Sequence, residues 1–194
     1  FAMLGAAIVI PLAIYAMPAG YAARIQSLSI LSAGSKAQDE SLGRRASYIV
    51  VGGQMIRENP LLGSGPGTFP LHYATTGYAK AFSANRKIGD LYRRAHNTYL
   101  EIFSELGVPA GLLFVGMLGL GLYNLIRARA AWMRRRDWQQ ADLMTHLGVS
   151  FLSLTLFLMF LSAPNQKYVW IMLAMTSVLR LKAEQAPLTK EARA

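Results

Sequence analysis

The sequence predicts an all-α membrane protein with several transmembrane helices, and three observations predict it. Of its 194 residues, 53% are hydrophobic and 15% charged, whereas soluble domains carry about 25% charged residues. Apolar runs of membrane length recur along the chain, and a polar, basic stretch from Ser35 to Glu105 separates the first two. Arginines crowd one short connection, ARAAWMRRRDW (Ala128 to Trp138), and such asymmetry sets the orientation of membrane helices.

Taken in order, the first expected span is 1–18, with an apolar run from Ala2 to Met17 that Pro11 is positioned to kink. Phe1 already lies inside that run, so the expectation is a piece of a longer polytopic chain. A secretory signal peptide is the alternative, but the basic n-region it needs is missing. Residues 19–105 form the expected loop. Within it, ENPLLGSGPGTFP (Glu58 to Pro70) demands a tight, irregular turn. Further on, Thr98 and Glu101 read as a capping box, and Tyr99, Ile102, Phe103 and Leu106 repeat at helical spacing. A short amphipathic helix from Tyr99 to Leu106 at the membrane surface is therefore expected. Gly107 should end it, and Pro109 suits the first turn of the next helix.

That next helix, 108–126, has about the 20 residues needed to cross a bilayer, with glycines at 111, 116, 119 and 121 that let a neighbour approach. The arginine-rich connection 127–142 is expected on the cytoplasmic side. Spans at 143–161 and 166–181 follow, the last one short, and 182–194 is a cytoplasmic tail. Counting back across one span puts the 19–105 loop on the opposite face. Its own basic charge, nine lysines and arginines from Lys36 to Arg94, does not contradict this, because the orientation rule weakens for loops beyond about 60 residues. An anionic ligand would explain that charge.

Several functions are excluded or disfavoured. The net charge of +10 is scattered and forms no stripe, so nucleic acid is not the expected partner. With no cysteine there is no disulfide framework and no thiolate metal site. His72, His96 and His146 stand far apart, and no DxD pair is present, so no metal is expected. GSGPG (Gly63 to Gly67) lacks the lysine and hydroxyl residue of a P-loop and reads as a structural turn. Transport pathways usually need ionisable groups in the spans, and these spans hold almost none.

Three segments in order, SLGRRASY (Ser41 to Tyr48), ENPLLGSGPGTF (Glu58 to Phe69) and AHNTYLEIFSELGVPAG (Ala95 to Gly111), resemble the O-antigen ligase and polymerase superfamily over about residues 20 to 126. The resemblance implies a polytopic, GT-C-like helical glycosyltransferase of the bacterial inner membrane, acting on the periplasmic face without a cofactor. It implies a donor glycan linked to undecaprenyl diphosphate, and as acceptor a lipid A–core sugar (ligases), another glycan (polymerases) or a protein. His96 matches the family's histidine that acts on the acceptor, and an imidazole can take a proton from a sugar hydroxyl near neutral pH. Arg44 resembles the family's loop arginine, with Arg45 one residue away as the alternative. Guanidinium groups hold phosphate oxygens bidentately and stabilise charge on a leaving group. Arg94, close to His96 in sequence, is a further candidate for the diphosphate, and lipid headgroups are the competing partner of Arg93 and Arg94.

Overall fold

The computed structural model describes residues 40–82 and 91–186, and among them all regular structure is helical. The expected first span, 1–18, lies outside the described residues. The chain divides into two compact units, 1–44 and 45–194. Of the first, only the opening of helix α1, Glu40–Glu58, is described.

The second unit has two hydrophobic clusters. In one, Tyr48, Val51 and Met55 of α1, at i, i+3 and i+7, face inward. They pack on Phe69 and Tyr73 of α2 (Phe69–Thr75), Ala79 of α3 (Gly77–Ala81), and Ala95. Tyr48 meets Tyr73 edge-on at 4.9 Å between centroids, and the buried Ser47 Oγ and Tyr73 OH share a hydrogen bond of 3.0 Å. The sequence reading placed no helix here, because α1 contains IVVGG, a β-branched run followed by two glycines with poor helix propensity. Packing overrides propensity: a Cβ at Gly52 would lie 2.6 Å from Leu100 Cδ1, so the close approach of Leu100 requires glycine there.

The other cluster joins α4 (Thr98–Arg134) to α5 (Trp138–Phe157) and α6 (Lys167–Gln185). α4 is two helices in line, broken at Gly107 with φ 85° and ψ 171°. A helix before Gly107, the glycine stop and Pro109 in the next helix thus stand where the sequence placed them, but Glu101, Ser104 and Glu105 on its polar side are buried, so that side does not face water. The cap differs. Asn97, with extended backbone, is the N-cap, and its side chain accepts from Leu100 N–H at 3.0 Å. Thr98 is instead fully buried in the helix start, so Thr98 and Glu101 make no capping box.

α4 is long and apolar enough to cross a membrane by length and composition, and 28% of its most apolar window is buried inside the protein. The rest faces outward. Leu112, Leu113 and Ile126 of α4, Val149 of α5, and Ile171 and Val178 of α6 are all exposed. α5 and α6, of 20 and 19 residues, overlap the third and fourth expected spans, but among the described residues α4 alone is long and apolar enough to cross a membrane. α4 runs antiparallel to α5 and parallel to α6.

At the arginine-rich end the helices extend further than expected, leaving only Arg135, Arg136 and Asp137 between α4 and α5. Arg135 stacks 5.7 Å over the Trp132 ring. Its guanidinium donates to the carbonyls of Ala183 and Glu184, neutralising the negative end of α6. Nearby, the buried Asn124 donates to Ser177 Oγ and accepts from Arg180, which also pairs with Glu184 at 2.9 Å.

Candidate functional site

Two buried carboxylates on the first limb of α4, Glu101 and Glu105, hold the segment just before it and the 63–69 turn, and Tyr48 of α1 lies beside His96. Glu105 Oε2 accepts Gly67 N–H at 2.8 Å and Oε1 accepts Phe69 N–H at 3.0 Å. It thereby caps α2 from a distant element, where Thr68 makes no side-chain cap. Ser64 N–H and Gly65 N–H donate to the carbonyls of Ser104 and Glu105. Gly63 N–H reaches Asn59 and Thr68 N–H reaches Gly65. Every backbone N–H from 63 to 69 is therefore committed within the protein, and GSGPG offers no cradle for a phosphate. It is a structural turn, as its sequence indicated.

Glu101 reaches the other way. Oε1 accepts Ala95 N–H at 3.1 Å and Arg94 Nε at 3.2 Å, while Oε2 accepts Arg94 Nη2 at 3.0 Å. Arg94, expected near a diphosphate, thus spends two donors on a carboxylate of its own chain. His96 follows with φ 49°, left-handed for a non-glycine residue. Thr98 then pins the chain to the turn between α5 and α6. Its N–H donates to Leu158 O at 2.9 Å, its hydroxyl donates to Leu161 O at 2.5 Å, and that hydroxyl accepts Ala163 N–H at 2.9 Å. Tyr99 OH adds a bond to Thr155 O at 2.8 Å.

These anchors shape a cavity of about 230 Å³. His96, Ala95, Asn97 and Leu100 form its floor, Arg45 and Ile49 of α1 one side, and Met159 and Phe160 of the α5–α6 turn the other. The Tyr48 ring lies 6.0 Å from the imidazole. Of the sequence candidates, His96 and Arg45 share this cavity. Arg44, half-buried, belongs to the first unit and precedes Arg45 in α1. His72 sits in α2, and His146 Nδ1 is bonded to Asp142 O within α5.

Burial, then the positive charges of Arg45 and Arg93, hold the His96 pKa below its ordinary value of 6.5. Glu101 opposes them in part, and Arg94 adds a smaller push downward. The imidazole is consequently neutral at pH 7 and able to accept a proton. A neutral base, a guanidinium and an apolar wall in one cavity suit a hydroxyl acceptor beside a phosphate carried on an apolar chain.

Glu101, Glu105, Thr98, Met159 and Phe160 were not found from sequence. The sequence carried no signal for the two glutamates, because acids at i, i+4 on a helix read as a solvated face. Comparison with the curated proteins gives no match. A family model described as O-antigen ligase matches residues 1–115, more than half of the chain. The chain belongs to the O-antigen ligase family, whose members are glycosyltransferase-like membrane enzymes.

Proposed function

We propose that this chain carries the transfer site of an O-antigen ligase, which moves a glycan from undecaprenyl diphosphate to a sugar hydroxyl of lipid A–core on the periplasmic face. The observation that carries the reading is the shared cavity of His96 and Arg45, with the apolar residues Ile49, Met159 and Phe160 around it. His96 takes the proton of the acceptor hydroxyl as its oxygen attacks the anomeric carbon. The bond from that carbon to the diphosphate oxygen breaks, and the leaving diphosphate carries the negative charge. Arg45, with Arg44 beside it in sequence, stabilises that charge. Arg94 contributes through its remaining donors and through Glu101.

Arg45→Ala in the full-length protein is expected to lower transfer by about 10²–10³-fold, as for loss of one transition-state donor. Arg45→Lys should recover only part, since an ammonium lacks the bidentate fork. Full activity of Arg45→Lys would remove the diphosphate role. No three carboxylate or imidazole side chains converge among the described residues, so the same assay should be indifferent to a chelator. A polymerase would use the same residues. Carrier-linked glycan of full polymer length after gene deletion supports the ligase, and single repeats would make it a polymerase.

The topology in this reading has spans at 1–18, 108–126, 143–161 and 166–181 in the inner membrane, with the 19–105 loop periplasmic. Single cysteines at the exposed positions Lys80 and Gln139 test it. A membrane-impermeant thiol reagent added to intact cells should label Lys80→Cys and spare Gln139→Cys. The reverse pattern would put the site in the cytoplasm and end the mechanism.

A further inference from the structure

We propose that Glu101 is a positioning residue for His96, a buried carboxylate that fixes the left-handed backbone there and, paired with Arg94, sets the charge beside the ring. The proposal rests on the reading of His96 as the base. Its geometry separates it from an ordinary surface ion pair, which contributes little. The Glu101 side chain is 1% exposed against 48% for Arg94, and one of its bonds goes to the amide of Ala95, the residue before His96. On the far side, Asn97 is held by Leu100 N–H, and Thr98 by the carbonyls of Leu158 and Leu161. A non-glycine residue at φ 49° persists only where its surroundings over-determine it. Here the two sides of His96 are clamped by different partners, and Glu101 is the clamp on the N-terminal side.

Among the described residues, the charged groups acting on the imidazole are Arg45 from α1, Arg93 and Arg94 from the segment before it, and Glu101 from α4. The cavity's other wall, Leu158 to Ala163, has no titratable side chain. Glu101 is therefore the one negative group in this set, and its field and Arg94's act in opposite directions on the ring.

Two variants of the full-length protein in detergent test this. Glu101→Gln cannot accept from Arg94 as a carboxylate does. It is expected to lower the maximal rate about 10–100-fold through misplacement of the base, with acceptor KM little changed. Its acid limb in kcat/KM should move to lower pH. Arg94→Gln, altered on the exposed side of the pair, should fold normally and move the acid limb to higher pH. Glu105→Gln, the other buried carboxylate of the limb, should leave the acid limb in place. The His96 ring is followed in parallel by NMR of ¹³C-labelled histidine, assigned by its loss in His96→Gln. Opposite movements of the imidazole midpoint in the two variants, matched by the rate profile, support the proposal. An unmoved midpoint in both, or an equal movement in Glu105→Gln, overturns it. Midpoints that move while the rate profile stays put would instead overturn His96 as the base.

Discussion

Replacing His96 by alanine is expected to reduce glycan transfer by about 10²–10⁴-fold, the range for removal of a general base. Expression and membrane insertion should be preserved, because the His96 side chain is only partly buried and lies ahead of a helix. His96→Gln keeps a hydrogen-bonding group of similar reach but no titratable base, and should fail as completely. His96→Asn separates chemistry from folding most cleanly. Asparagine tolerates the left-handed conformation that His96 adopts at φ 49°, so this variant should be as stable as wild type and inactive. Because the imidazole pKa lies below its ordinary value, the rate falls on the acid side, as the ring protonates. The acid limb of kcat/KM should accordingly lie below pH 6.5, which favours the neutral base at pH 7. His72→Ala, in α2, should stay active. Transfer near the wild-type rate in His96→Ala would end the assignment.

The largest expected effect on stability is at Gly107. A side chain there meets two obstacles at once. The backbone is left-handed, with φ 85°, and an added Cβ would stand 2.4 Å from Leu61 O and 2.9 Å from Gly63 N. Both obstacles are backbone, so no side-chain rotation relieves them. The same junction is tied by Val108 N–H to Pro60 O at 2.8 Å. Gly107→Ala should therefore cost about 2–5 kcal/mol, combining left-handed strain with overpacking. It should appear as a clear fall in the thermal midpoint of the purified protein. Gly116→Ala and Gly119→Ala are the comparators. Nothing lies within 4 Å of a Cβ at either position, and alanine is the better helix former. Unfolding of Gly107→Ala at the wild-type temperature would show that the 60–63 turn does not hold this kink.

What the sequence disclosed was governed by distance along the chain. The helical limb before Gly107, the break itself and Pro109 follow from residues within one or two turns of each other, and they were legible. So was the turn character of GSGPG. The bonds that assemble the site were not. Glu105 reaches amides 36 and 38 residues away, and Thr98 reaches a carbonyl 63 residues on and an amide 65 residues on. An acid on a helix ordinarily reads as solvated, and a threonine before a hydrophobic run reads as a cap. Only the fold shows that these side chains are spent on other segments. Arg45 was separable from Arg44 for the same reason: both fit the phosphate chemistry, and the cavity wall is a property of the folded helix.

The anchoring of the α5–α6 turn by Thr98 gives the cavity two origins. Its polar half, Arg45 and His96, comes from the stretch matched by the family model, which ends at residue 115. Met159 and Phe160 come from beyond that limit, while the other apolar lining residues, Ile49, Ala95 and Leu100, lie within it. The bonds from Thr98 go to backbone groups of Leu158, Leu161 and Ala163, so they do not depend on which side chains stand at 159 and 160. Exchanges at 159 and 160 should therefore reshape the apolar wall beside His96 while the bonds from Thr98 still hold the turn, and a thermal midpoint near that of the wild type in Phe160→Ala would check it.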